Sequence, residues 1–190
     1  MNSEIHRLRD GSTVTTRPAG PEDEGPLREF LTDLCFDSRR LRFFTGGADM
    51  GKAAHWAADM GADRYGLVAC DGRDAIVGHA VYVRVAPARA EVAVEVADRF
   101  HGHGLGTILV AALAVVAEGR GLRTFTARVL PDNRAMLDVF RDGFDARVTL
   151  RGDSDTVEFP TAAWRLARER FAVDALPPER AGGADPSTRP

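Results

Sequence analysis

The segment His101-Gly102-His103-Gly104-Leu105-Gly106-Thr107 sets three glycines at alternate positions directly ahead of an apolar helical run. Glycines let a main chain approach an anion closely and adopt conformations closed to other residues. Where such a turn opens into a helix, its N–H groups point outward at the positive end of the helix dipole, a setting built to hold phosphate. Two common phosphate loops do not fit. A dinucleotide fingerprint needs GxGxxG/A and an acid about 20 residues later, whereas Thr107 takes the third glycine's place and the next strand, TFTARVL, has no carboxylate. A Walker A loop needs GK[ST], which is absent. On the local pattern alone, a purely structural glycine turn stays open. His101 and His103 form an HxH pair without an evident third ligand, so phosphate contact or exposure accounts for them and no metal is expected.

The turn needs a strand before it and a helix after it. Leu105, Ile108, Leu109, Ala112, Leu113 and Val116 recur on one helical face up to Gly119 and Gly121. Upstream, four strands are predicted: Ser12 to Arg17, Tyr65 to Cys70, Ala75 to Val85 and Ala90 to Val96, the last three forming an antiparallel meander. Between the first two, helices are predicted over Pro21 to Leu34, from a cap at Asp37 or Ser38 through Phe44, and over Lys52 to Met60. Downstream come a fifth strand (Thr124 to Leu130), a helix (Asn133 to Arg141), a closing hairpin about Arg151-Gly152-Asp153, and a helix over Ala162 to Val173.

At 190 residues and 44% apolar content the chain has the size of one domain. Residues 1–11 read as a flexible terminus, 12–160 as the domain, 161–175 as the final helix, and 176–190, rich in Pro and Gly, as a disordered tail. The first eleven residues lack the apolar run of a secretory signal, and no stretch nears ~20 consecutive apolar residues, so a soluble, cytoplasmic protein with no membrane partner is expected. A net charge of −3 argues against nucleic acid as a partner. Cys35 and Cys70 sit in apolar surroundings and read as buried reduced thiols.

Val94-Glu95-Val96 followed by HGHGLGT resembles the acyl-CoA signature of the GNAT superfamily of N-acetyltransferases, a strand and then [QR]xxGx[GA], with His101 where Gln or Arg is usual. The strand TFTARV and the run Asn133-Arg134-Ala135-Met136 through Phe140 to Gly143-Phe144 resemble the family's closing strand and helix. Asp37-Ser38-Arg39-Arg40-Leu41-Arg42-Phe43-Phe44 and Ala90-Glu91-Val92-Ala93 are similar to the catalytic domain of bacterial Pat-type protein lysine acetyltransferases. The likeness spans about Val14 to Phe159. It implies an α/β (α+β) GNAT fold, a mixed and mostly antiparallel sheet flanked by helices and splayed between the fourth and fifth strands predicted above, where acetyl-CoA would enter.

The resemblance also implies roles. Val94 and Val96 would bond the pantetheine arm through their main chain, with Glu95 between them in the same strand segment. His101, Gly102, His103, Gly104, Leu105, Gly106 and Thr107 would hold the diphosphate, Asn133 would meet the amide arm, and Phe140 would pack on it. Glu91 matches the catalytic carboxylate. An attacking lysine must lose a proton that it holds up to pH ~10.4, so a base must take it directly or through water, and partial burial of Glu91 would raise its pKa toward that task. Glu95 is the rival carboxylate, on the same face and roughly 13 Å along the strand at ~3.3 Å per residue. The backbone N–H near Val94 would face the thioester oxygen. Many GNAT enzymes place a tyrosine acid where Phe140 stands, and no general acid is assigned here.

The implied reaction moves an acetyl group to a primary amine, a protein lysine ahead of a small metabolite, with an acyl-CoA synthetase among the candidate acceptors. A non-catalytic acyl-CoA-binding module is the rival of another class. Lys52 is the single lysine among 25 basic residues, so such an enzyme offers almost no acceptor of its own.

Overall fold

Apolar residues at alternate positions in the strands and at helical spacing in Leu105–Gly119 favour the same arrangement: a sheet with helices against both faces. A computed structural model describes residues 3–45 and 47–171. Its strands are β1 (Glu4–Arg7), β2 (Thr13–Pro18), β3 (Arg64–Cys70), β4 (Ile76–Ala86), β5 (Arg89–Val96), β6 (Thr124–Val129), β7 (Arg147–Arg151) and β8 (Ser154–Pro160). The helices are α1 (Glu24–Asp33), α2 (Phe36–Phe43), α3 (Met50–Ala58), α4 (Leu105–Gly119), α5 (Arg134–Phe144) and α6 (Trp164–Phe171). One sheet runs in the order β1-β2-β3-β4-β5-β6-β8-β7, antiparallel throughout except for the parallel pair β5–β6. This is the mixed, largely antiparallel sheet expected.

Parity along β4 separates the two layers. Gly78 lies so close to α4 that a Cβ there would stand 2.9 Å from Leu109 Cδ1, which allows α4 to settle onto the sheet. The odd positions Val81, Val83 and Val85 share the other face with Leu31 of α1 and Trp56 of α3. An aromatic ladder links the strands beneath the α4 layer: Tyr65 stacks on Tyr82, Tyr82 meets Phe125 at a tilt, and Phe125 meets Phe159 edge-on, with Phe140 and Phe144 of α5 against Phe159 at 5.3 and 5.1 Å. All six rings are buried. None of the described helices is long and apolar enough to cross a membrane.

Several expectations are corrected. Residues 1–11 are not loose throughout: Glu4–Arg7 pairs with β2, which shifts the predicted strand numbers up by one. His6 is its buried residue, with Leu8 buried just after it, while Ile5 is 70% exposed. His6 Nε2 meets Thr16 Oγ1 at 2.8 Å, and burial pushes the imidazole down to about 4, so it is neutral at pH 7. The second helix starts at Phe36, because Cys35 Sγ accepts from the Ser38 N–H as its cap; Cys35 is therefore exposed, and of the two cysteines Cys70 is the buried one. Helix α5 runs past Arg141 to Phe144 and stops where Asp145 turns left-handed at φ 52°. The last helix is described to Phe171; residues 172–175 of that expectation and the 176–190 tail lie outside the described residues.

Candidate active site

The site grows out of the β5–β6 pairing. Only Arg89, Ala90 and Glu91 pair with Thr124, Phe125 and Thr126; beyond them the strands part. Ala97 donates its N–H to Val77 of β4 at 2.8 Å. By alternation, the main-chain groups of Ala93 and Glu95 also turn toward β4, while those of Val92, Val94 and Val96 turn toward the opening. A strand edge in the middle of a sheet is thereby left to pair with something other than protein. The register from Arg84 to Gly78 against Ala90 to Val96 is unbroken; the irregularity falls at Val85 on β4.

A cleft of about 710 Å3 occupies the gap, lined by β5, by Ala127, Arg128 and Val129 of β6, by the glycine turn and by one face of α5. At its floor Gly102 and Gly104 take φ values of +77° and +91°, in the left-handed region that a side chain disfavours. Gly104 is the N-cap of α4, and Ile108 is the first residue to bond back to it, so the N–H groups of Leu105, Gly106 and Thr107 lie ahead of the helix's own bonding. No acidic residue sits in that first helical turn. A diphosphate fits this end of the cleft, and the apolar wall of Val94, Met136, Val139 and Phe140 fits an alkyl amide arm leading from it.

Of the thirteen residues singled out from sequence, Glu91, Val94, Glu95, Val96, His101, Gly102, Gly104, Leu105, Gly106, Thr107, Asn133 and Phe140 line this cleft. His103 does not. Its Nδ1 lies 3.2 Å from Asp10 Oδ2, and its carbonyl accepts from the Arg9 N–H at 3.1 Å. His101 Nε2 donates to the Val96 carbonyl at 2.9 Å, so that carbonyl is already engaged. Asn133 caps α5, its side-chain oxygen accepting from Met136 N–H at 3.2 Å.

The two glutamates of β5 share a face and differ in everything else. Glu91 is exposed, so the expected partial burial does not occur. Glu95 is buried between Arg42 Nε at 2.6 Å and His79 Nδ1 at 2.7 Å. Burial alone would raise its pKa; the Arg42 and His79 charges and hydrogen bonds outweigh it and hold the carboxyl down to about 2. A carboxylate so held is a fixed anion, whereas Glu91 faces solvent. Two arginines of α2 are drawn into the protein itself: Arg42 onto Glu95, and Arg40 onto Asp132 at 2.6 Å. No tyrosine lines the cleft; Tyr82 is buried with its hydroxyl on Arg120.

Sequence reading missed Arg9, Phe44, Arg128 and Val139 as lining residues. Val139 had a readable signal, lying one helical turn from Ala135 and from Asp142 on the same face of α5. Arg9 had none, because its segment read as loose.

Residues 29–144 match the acetyltransferase (GNAT) family. Over 143 residues, 68% of this chain, the sequence is 32% identical to acetyltransferase Pat of Mycolicibacterium smegmatis. The chain spans 40% of that relative's length. It is 30% identical over 144 residues to acetyltransferase PA5475 of Pseudomonas aeruginosa, covering 71% of this chain and 76% of that one. Among solved structures, the GNAT domain of S. lividans PAT superimposes with a TM-score of 0.76 at 30% identity, covering 83% of this chain and 96% of that domain. With a glycine-floored cleft opening between two parting parallel strands, and with more than half of its length matched, the chain belongs to the acetyltransferase (GNAT) family.

Proposed function

We propose that the chain transfers an acetyl group from acetyl-CoA directly to the side-chain amine of a protein lysine, with Glu91 as the base. The observation that carries this reading is a second cavity, of about 470 Å3, on the α1/α3 face of the sheet. It shares Arg42, Phe43, Glu91, Val92, Ala93 and Glu95 with the cleft. The two spaces therefore meet across β5, which suits a ternary complex with cosubstrate on one side and amine on the other. The amine nitrogen attacks the thioester carbonyl that acetyl-CoA brings, the carbonyl C–S bond breaks, and CoA leaves as its thiol with the second proton shed by the nitrogen. Glu91 takes the proton from the incoming ammonium, directly or through water, and the Val94 main chain, turned toward the opening, is placed to donate to the thioester oxygen.

The second cavity favours a lysine over a polyamine. Leu31, Phe43, Trp56, Val81 and Val83 make apolar walls suited to a four-carbon stem carrying a charged head. A polycation would call for several carboxylates, and of the two present Glu95 is already paired. The resemblance to Pat-type enzymes noted in the sequence supports a lysine acceptor, and an acyl-CoA synthetase is the acceptor to try first.

Incubation with labelled acetyl-CoA and separate pools of protein and small amines tests the proposal. Label on protein lysines is expected. Label confined to the metabolite pool would end the lysine reading while leaving the acetyl transfer.

A further inference from the structure

We propose that Arg9, on the turn after β1, binds the cosubstrate's diphosphate and is a specificity residue of the cleft; this rests on the function proposed above. The glycine turn from His101 to Thr107 contains no arginine or lysine, and its leading residue, His101, is tied to Val96. Neutral amides alone would then face a group carrying about two negative charges, whereas a guanidinium presents planar donors that match phosphate oxygens.

Three arginines line the cleft. Arg9 is at the phosphate end. Its Nε, Cγ and Cδ stand 3.6, 3.8 and 4.0 Å from where a Cβ on Gly104 would lie, and it shares the lining with Gly102, Gly104 and Gly106.

The backbone holds it there. Arg9 N–H donates to the His103 carbonyl at 3.1 Å, and Asp10 pairs with His103. Leu8, buried, closes the turn through its N–H to Ser12 and its carbonyl from Gly11. The first strand of the sheet thus delivers a cation to a loop that lacks one.

Binding of CoA and dephospho-CoA by calorimetry, and turnover of acetyl-CoA against acetyl-pantetheine, should be compared for wild type, Arg9→Gln and Arg9→Lys. Arg9→Gln is expected to weaken both CoA and dephospho-CoA by about 10- to 100-fold, the range for a charge-assisted phosphate contact. Arg9→Lys should recover part of the loss, and turnover of acetyl-pantetheine, which lacks the diphosphate, should stay at the wild-type level. Unchanged CoA affinity in Arg9→Gln overturns the proposal. So does an equal loss with acetyl-pantetheine, which would mark a structural role, or a loss that vanishes with dephospho-CoA, which would move the contact to the 3′-phosphate. A wild-type protein that binds no CoA would instead defeat the reading of the cleft, and this inference with it.

Discussion

Glu91→Gln is expected to lower kcat by about 10²- to 10⁴-fold, the usual contribution of a positioned base, while CoA affinity stays within about twofold of wild type. The reason is positional. Glu91 stands at the last paired step of β5–β6, where the strands begin to part, and lines both the cleft and the second cavity. Its exposure leaves it open to water, through which a proton can leave. An amide at the same place keeps the size and the packing and loses the ability to accept a proton. Steady-state kinetics on a lysine peptide, beside calorimetry with CoA, measure the two quantities separately. A variant with wild-type kcat would remove Glu91 from the chemistry. A wild type that binds CoA without turnover on any amine would establish a binding module.

Glu95→Ala should act on the fold first, costing about 3–5 kcal/mol because Arg42 and His79 each lose the carboxylate they are bonded to. In a chain of this size that corresponds to a fall in Tm of roughly 10 °C. Glu95→Gln should cost less, since its amide oxygen can still accept a hydrogen bond. The pH dependence follows from the same pair. Glu95 has its pKa lowered to about 2 against an ordinary 4.5, so its stabilising contribution is full above about pH 4.5 and is lost as the pH falls toward 2. Thermal melts of both variants across that range check the assignment. A Glu95→Ala protein as stable as wild type at pH 7 would show that the pair is replaceable.

The contrast between these glutamates also marks how far residue order alone reaches. That they share a face follows from strand alternation and needs no coordinates. Which one is neutralised does not, because Arg42 lies 53 residues from Glu95 and approaches it only once α2 has packed over β5. The strict apolar stripe of α4 and the glycines before it were legible for the same reason, since each obeys a local period. Strand β1 was hidden because its inward residue is a histidine and its apolar Ile5 faces out, the reverse of the usual alternation. Cys35 misled in a similar way: its apolar neighbours suggested burial, whereas its sulfur caps a helix end at the surface.

Everything in the proposed chemistry requires that the amides of the glycine turn grip the cosubstrate's diphosphate. Titrating ¹⁵N-labelled protein with CoA observes those amides directly. The largest shifts are expected at Gly102, Gly104, Leu105 and Gly106, with smaller ones at Val94 along the open edge of β5. Saturable binding with those signals unmoved, or shifts confined to another face of the sheet, would contradict the account.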